Sequence, residues 1–234
     1  MSTETIDAYD WHAIGGALDT YGWAVLPRLI DPDTARATAA LDDHDDCFRS
    51  RVIMARHGFG RGSYGYFAYP LPPLVAQLRT AIYPRLAPIA DHWNARLGDA
   101  ERFPATHAAY RARCHAAGQQ RPTPLLLRYG AGDFNCLHQD IYGAHAFPIQ
   151  AAILLSAPGT DFTGGDFVLT EQRPRMQSRV DVVPLAQGDA VIFAVRHRPV
   201  RGTRGDYRVT MRHGISTVRS GERRVLGIIF HDAN

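Results

Sequence analysis

The sequence predicts an α+β chain, helices first and then a β sandwich or barrel, on three observations. After Pro124, short β-branched or aromatic segments recur at regular spacing, punctuated by Gly, Pro, Asp and Ser, and no helical pattern follows them. Before Pro124, apolar residues fall at helical spacing in at least two segments. No internal repeat, low-complexity tract or linker divides the 234 residues. The expectation is therefore one domain, 1–234, with an N-terminal helical, substrate-side region over 1–120 and a β core over 121–234.

The elements follow in order. GWAVLPRLI (22–30) reads as a short buried strand, and DPDTARATAALDD (31–43) as a helix with Asp31 at the N-cap and Pro32 at the first helical position. Residues 47–73 are polar, rich in Gly and Arg, free of acids and without clean periodicity. Residues 73–97 carry helical spacing, interrupted or kinked near Pro84 and Pro88, and 101–120 read as a helix or a loop plus a helix. Strands are expected at 125–130, 149–156, 165–171, 180–185, 189–195, 207–216 and 223–232.

Composition narrows the class. Hydrophobic content of 45% and charged content of 21% are those of an ordinary globular chain. No apolar run is long enough to span a bilayer, and the acidic start MSTETIDAYDW has no signal-peptide core, so the expectation is a cytoplasmic protein without membrane contact. Three cysteines (Cys47, Cys114 and Cys136) without CxxC spacing argue against a disulfide framework or a zinc knuckle. Every basic residue is Arg, which a GC-rich genome explains. Residues 1–46 hold ten acids and two arginines, whereas the rest holds thirteen acids and twenty-four arginines. That asymmetry suggests a polyanionic or acidic partner without identifying it.

FNCLHQDIYG (134–143) places His138 and Asp140 two apart. Chance supplies such triplets; His44-Asp45-Asp46 is one, at the end of an acidic helix. On a strand, however, residues i and i+2 share a face, so His138 and Asp140 can reach one ion, and His213 on a later β segment can converge across the sheet. Two His and a carboxylate form the facial triad of non-haem Fe(II) oxygenases, with positions left for co-substrate and O2. Ten residues after His213, beyond the turn SGE, Arg223 enters the same sheet. An arginine buried behind such a site is best explained by a carboxylate held in its fork. Its neighbour Arg224 points to the opposite face and is expected in a surface ion pair. Cys136, His145 and His231 are read as packing, surface and structural residues.

Four stretches resemble the Fe(II)/2-oxoglutarate-dependent dioxygenases, above all their prolyl-4-hydroxylase-like branch. LLLRYGAGDFNCLHQD is similar to the strand in which a Tyr, here Tyr129, precedes His-x-Asp. TGGDFVLTE (163–171) resembles the family's Gly-Gly hairpin, VPLAQGDAVIF (183–193) its Pro-x-x-Gly-x-Ala-x-x-Phe segment, and HGISTVRSGERRVLGIIF (213–230) its closing His-to-Arg run, with Ile215 where Val is usual. The resemblance covers about residues 120–234. It implies a double-stranded β-helix (jelly-roll) catalytic core with the N-terminal helices packed on one sheet. It also implies Fe(II) on His138, Asp140 and His213, with Arg223 and Tyr129 on the distal carboxylate of 2-oxoglutarate. The expected reaction is hydroxylation of a C–H bond by O2, coupled to decarboxylation of 2-oxoglutarate to succinate.

The substrate is less legible. Two regions are candidates for the barrel mouth. In 47–69, Arg49, Arg51, Arg56 and Arg61 stand beside Phe59, Tyr64, Tyr66, Phe67 and Tyr69. In 196–208, Arg198, Arg201 and Arg204 belong to a run of five arginines. Arginine for phosphate and aromatics for bases suit DNA or RNA in single-stranded or flipped form; a solvated Arg-rich surface in a lysine-free chain is the alternative. The candidates are thus a nucleic-acid oxygenase, for instance one removing alkyl damage, a prolyl or other side-chain hydroxylase, a small-molecule hydroxylase, and a metal-dependent sensor without turnover. The Arg-x-Asn-x-Thr-x-Arg signature of known alkylation-repair demethylases is absent. Oligomeric state, and movement of 47–69 as a lid, are not legible.

Overall fold

A computed structural model describes residues 3–141 and 143–234, with the side chains of residues 3 and 4 left aside. In chain order the first half contributes α1 (Thr3–Asp7), α2 (Trp11–Tyr21), β1 (Trp23–Leu26), α3 (Pro32–Ala40), β2 (Phe48–Ile53), β3 (Gly60–Arg61), β4 (Ser63–Phe67), α4 (Pro73–Arg96) and α5 (His107–Ala116). The second half contributes β5 (Leu125–Tyr129), β6 (Phe134–His138), β7 (Ile149–Leu154), β8 (Phe162–Gly164), β9 (Phe167–Gln172), β10 (Arg179–Val183) and β11 (Ala190–Ala194). It ends with β12 (His197–Gly202), β13 (Gly205–Ile215), β14 (Val218–Gly221) and β15 (Arg223–Ile228).

Two antiparallel sheets face each other in the jelly-roll arrangement that the sequence predicts. One has the order β1-β11-β7-β15-β5-β4-β2, the other β10-β9-β13-β6-β3 with β12 on β13; β14 and β8 form a small separate pair. Inward side chains interleave between them, as where Phe167 meets Phe193 at 5.1 Å between ring centres. The helices α2, α3 and α4 pack on β1, β11 and β15 of the larger sheet, and α2 and α4 also reach β12. No helix among the described residues is long and apolar enough to cross a membrane.

The helices form for local reasons. In α2 the Asp10 carboxylate accepts from the Ala13 amide at 3.0 Å, and Gly22 closes the helix at φ 80°. In α3 Asp31 caps the Thr34 amide at 2.8 Å ahead of Pro32, and the helix gives way to a 3-10 turn at Leu41–Asp43. α4 is a single helix through Pro84 and Pro88, so of the expected interruption or kink the interruption does not occur. Both prolines lie on its exposed face, one turn apart, so the carbonyls they leave without partners face water.

The largest departure from expectation lies in 47–73. The segment reads as irregular, yet its strands β4 and β2 extend the larger sheet and β3 extends the smaller. Its periodicity is blurred because β2 is an edge strand with no fully buried residue and a register shift between Phe48 and Ser50. The N-terminal half is therefore helical and β together.

At the closed end, the C-terminal residues are locked to α4 and α5. Arg79, 1% exposed, donates through Nε to the Ile229 carbonyl at 2.8 Å and through Nη2 to the Asp232 carboxylate at 2.6 Å. Asp232 also accepts from Tyr69 Oη at 2.9 Å and meets His115 Nε2 at 2.7 Å. His231 is buried beside it, and its Nδ1 accepts from the Phe147 amide at 3.1 Å.

Candidate active site

The three expected metal ligands converge. β6 and β13 are antiparallel neighbours that place His138 directly opposite His213, and Asp140 follows two residues beyond the end of β6. The imidazole centres are 4.2 Å apart, and Asp140 reaches His138 Nε2 at 3.5 Å and His213 Nε2 at 3.4 Å. One ligand atom from each lies within 4.8 Å of the others. The close approach of β6 to β13 depends on Gly214, where a Cβ would stand 2.6 Å from the Asn135 carbonyl.

The electrostatics suit a cation. His138 Nδ1 donates to the Cys136 carbonyl at 2.8 Å, which fixes the tautomer and turns the Nε2 lone pair toward Asp140. Burial pushes the His213 pKa down against the pull of Asp140, keeping that imidazole neutral. Two imidazoles and one carboxylate at these separations fit a divalent transition metal bound on one face.

A second group faces the same cavity. β15 pairs with β5 so that Arg223 lies beside Tyr129. Arg223 is 2% exposed, and its Nε and Nη1 have no hydrogen-bond partner among the described residues. Burial lowers its pKa to about 10, so the guanidinium stays charged at neutral pH. Tyr129 is wholly buried, with its hydroxyl accepting from Asn135 Nδ2 at 3.3 Å. The Gly-Gly hairpin makes room for this cation, because a Cβ on Gly165 (φ 63°) would stand 2.9 Å from Arg223 Cδ. A buried cation with unused donors beside a phenol has the chemistry to receive a carboxylate. Arg224 points away and pairs with Glu222 at 2.7 Å.

The triad and Arg223 line one cavity of about 380 Å³, within the range of small-molecule sites. Tyr64 and Tyr66 line it too, edge to face at 5.3 Å. Phe59, 48% exposed, stands on its lip with its ring on His57 at 5.3 Å. The structure does not bring the candidate substrate arginines to the cavity wall. Arg198 is buried and bound to the Glu171 carboxylate and the Asp19 carbonyl, which makes it a core strut instead of a mouth residue. Arg51 is held by Asp42 and Asp45, each at 2.8 Å. Arg61 is 3.7 Å from Asp133 and Arg201 3.8 Å from Asp206. Arg56 and Arg204 are exposed on turns.

The charge asymmetry of the sequence is partly consumed inside the fold. Besides Arg51, the acidic N-terminal segment supplies partners to Arg85, Arg96 and Arg128, from Asp7, Asp19 and Asp42. His145 lies 3.6 Å from Glu101, and His44, the decoy, is exposed. Sequence reading named Phe59 among the aromatics of 47–69 but passed over Asn135, His57 and Gln150, the polar residue of the apolar strand IQAAIL. Cys136 lines the cavity as well as holding His138 through its carbonyl.

Comparisons with known proteins agree with this geometry. Residues 62–233 match the model of the Oxygenase-NA family, described as "Oxygenase, catalysing oxidative methylation of damaged DNA". The uncharacterized proteins Rv2227 and MT2286, from two strains of Mycobacterium tuberculosis, are each 50% identical over 173 residues, covering 74% of this chain and 74% of theirs. Among solved structures, a prolyl-4-hydroxylase of Pseudomonas putida aligns over 96% of this chain and 99% of its own, with a TM-score of 0.56 and 17% identity. A 2OG-Fe(II) oxygenase family oxidoreductase of Burkholderia pseudomallei aligns over 97% and 93%, with a TM-score of 0.57 and 16% identity. A Trichoplax adhaerens prolyl hydroxylase in complex with a hypoxia inducible factor peptide aligns over 94% and 87%, at 0.56 and 14%.

Proposed function

This chain belongs to the Oxygenase-NA family and is an Fe(II)/2-oxoglutarate oxygenase, and from that premise we propose that it oxidises an alkyl group on a damaged nucleobase presented in single-stranded or flipped-out form. The observation that carries the reading is the aromatic lip and wall of the metal cavity. Phe59 stands half exposed on the lip, its ring stacked on His57, with Arg56 in the same turn. Tyr64 and Tyr66 continue the aromatic surface inward. An exposed ring with a cationic arginine close by in the chain, leading into a cavity, is what a base drawn out of its stack requires.

His138, Asp140 and His213 would hold Fe(II), and Arg223 with Tyr129 would hold the distal carboxylate of 2-oxoglutarate. Bound iron, 2-oxoglutarate and O2 supply C–H hydroxylation coupled to decarboxylation of the co-substrate to succinate. The protein's own part is positional. The Cys136 carbonyl holds the His138 ring, the buried Arg223 fork fixes one end of the co-substrate, and the apolar sheet face keeps water from the reacting carbon. An N-methyl group hydroxylated in this site becomes a hemiaminal; its C–N bond breaks, formaldehyde leaves and the base regains its N–H.

Two measurements test the reading. With Fe(II), 2-oxoglutarate and a methylated single-stranded oligonucleotide, the wild type is expected to form succinate and the oligonucleotide to lose one CH2 in mass. Asp140→Ala is expected to do neither. Affinity for single-stranded DNA is expected to fall steeply with salt, because phosphate contacts release counterions. Salt-independent or absent binding, with one oxygen gained on a co-purified protein, would favour a protein hydroxylase. The prolyl hydroxylases named above share the fold with this chain at 14–17% identity.

A further inference from the structure

β7 is a central strand of the larger sheet, and its sequence IQAAIL is apolar apart from Gln150. Gln150 is 4% exposed, and its Nε2 has no hydrogen-bond partner among the described residues. A buried amide N–H left unpaired is costly, and an apolar residue would suit a purely structural role better. The side chain lines the cavity that holds the triad.

Strand register places it along that cavity. β7 pairs with β15 so that Leu154 lies beside Val225 and Ala152 beside Gly227, which puts Gln150 at the far end of the sheet from Arg223. Continuing that register sets Arg223 level with position 156, a separation along the strand of roughly 20 Å at 3.3 Å per residue. On its other side Gln150 is paired with Phe193, whose ring lies 4.6 Å from that of His213. Gln150 therefore stands level with Phe193 and the His213 ring, while Arg223 with Tyr129 stands at the other end of the cavity. A five-carbon diacid clamped at Arg223 is shorter than that separation. The space beside Gln150 is left for the substrate.

We infer that Gln150 is a specificity-determining residue whose Nε2 donates a hydrogen bond to a carbonyl oxygen on the alkylated base; this rests on the nucleobase reading above. The Watson–Crick edges of damaged bases differ in what they offer. A thymine methylated at N3 carries a carbonyl on each side of the methylated nitrogen. An adenine methylated at N1 carries an amino group there and no oxygen. An amide with Nε2 turned toward the substrate favours the keto base, because the amino base is met only if the amide turns over to present Oε1.

The test is equilibrium binding by fluorescence anisotropy, with Mn(II) in place of Fe(II) and 2-oxoglutarate present. The probes are short single-stranded oligonucleotides containing one 3-methylthymine, one 1-methyladenine or no lesion. Wild type is expected to bind the 3-methylthymine oligonucleotide about tenfold more tightly than the 1-methyladenine one. Gln150→Leu removes the donor at similar volume, and it should lose that preference by weakening only the 3-methylthymine complex. Gln150→Glu exchanges donor for acceptor and should turn the preference toward 1-methyladenine, so the inference stays testable if either variant fails to fold. A wild type that binds both lesions equally, or a folded Gln150→Leu that keeps the wild-type preference, overturns the role of Gln150 and leaves the nucleobase reading standing. A wild type that binds none of the oligonucleotides overturns both.

Discussion

Arg79 and Arg223 are both almost wholly buried, and each lies near a tyrosine hydroxyl, yet they stand in opposite surroundings. Arg79 is saturated: it binds the Ile229 and His231 carbonyls, the Tyr69 hydroxyl and the Asp232 carboxylate. Arg223 keeps Nε and Nη1 without partners among the described residues and has no carboxylate beside it in an ion pair. A buried guanidinium whose donors are used belongs to the fold. One whose donors are idle holds a place for a ligand, because its desolvation is offset only when the ligand arrives.

The comparison can be broken at either end. Asp232→Ala strips Arg79 of its counter-charge in the interior, and is expected to lower unfolding free energy by about 3–5 kcal/mol in urea titrations. Arg223→Met is expected to leave stability unchanged or slightly raised, while 2-oxoglutarate affinity falls about 100-fold or more, or roughly 3 kcal/mol, by calorimetry with Mn(II). If Arg223→Met destabilises the protein as much as Asp232→Ala, the two arginines have the same job and the distinction fails.

A pH titration sharpens the contrast, since two histidines surround the saturated end. Burial pushes His107 and His231 down to about 4, from an ordinary 6.5. Both are neutral in the folded protein near neutral pH, whereas the unfolded chain takes up their protons below about 6.5. Stability is therefore full above pH 6.5, declines as pH falls toward 4, and changes no further from this source below that. The loss is on the order of 2–3 kcal/mol per histidine. Asp232 adds a later decline. Burial raises its pKa, but Arg79, His115 and Tyr69 outweigh that and hold it below the usual carboxylate value of 3.8. Its contribution is present above about 3.8 and is lost as pH falls further. Urea midpoints at pH 7, 5.5 and 4.5 check the first decline, and His107→Gln should flatten part of it. The smallest effect belongs to the surface: Arg51→Ala removes a pair whose Arg51 and Asp45 ends are open to solvent, while Asp42 keeps Arg128 beside it, and should cost no more than about 1 kcal/mol.

The parts legible in the sequence share a physical cause. β7, β11 and β15 are flanked by other strands and largely buried, so their composition is nearly continuous apolar or β-branched and marks them plainly, whereas β13 is marked by alternation, with Val209, Met211 and His213 buried and the residues between them more exposed. The convergence of His138, Asp140 and His213 is readable because strand alternation fixes which residues share a face. The edge strands β2 and β3 lack that signature. Arg198 misled for a different reason. A count of charges along the chain does not register Glu171, which is distant in sequence and buried against Arg198 in the fold. Gln150 asks the reader to notice one polar letter in an apolar word, and to know that no partner stands opposite it. The second half of that knowledge is spatial.

The two-residue strand β3 joins the lip of the cavity to β6, the strand that carries His138. The Phe59 carbonyl accepts from the Cys136 amide at 2.9 Å, and the Cys136 carbonyl accepts from His138 Nδ1 at 2.8 Å. Gly60 permits the contact, because a Cβ there would lie 2.4 Å from the Phe134 carbonyl. A lever of two hydrogen bonds thus runs from the residue that carries an exposed aromatic ring to the half-buried imidazole of His138. Whatever presses on the lip presses on the aim of that imidazole.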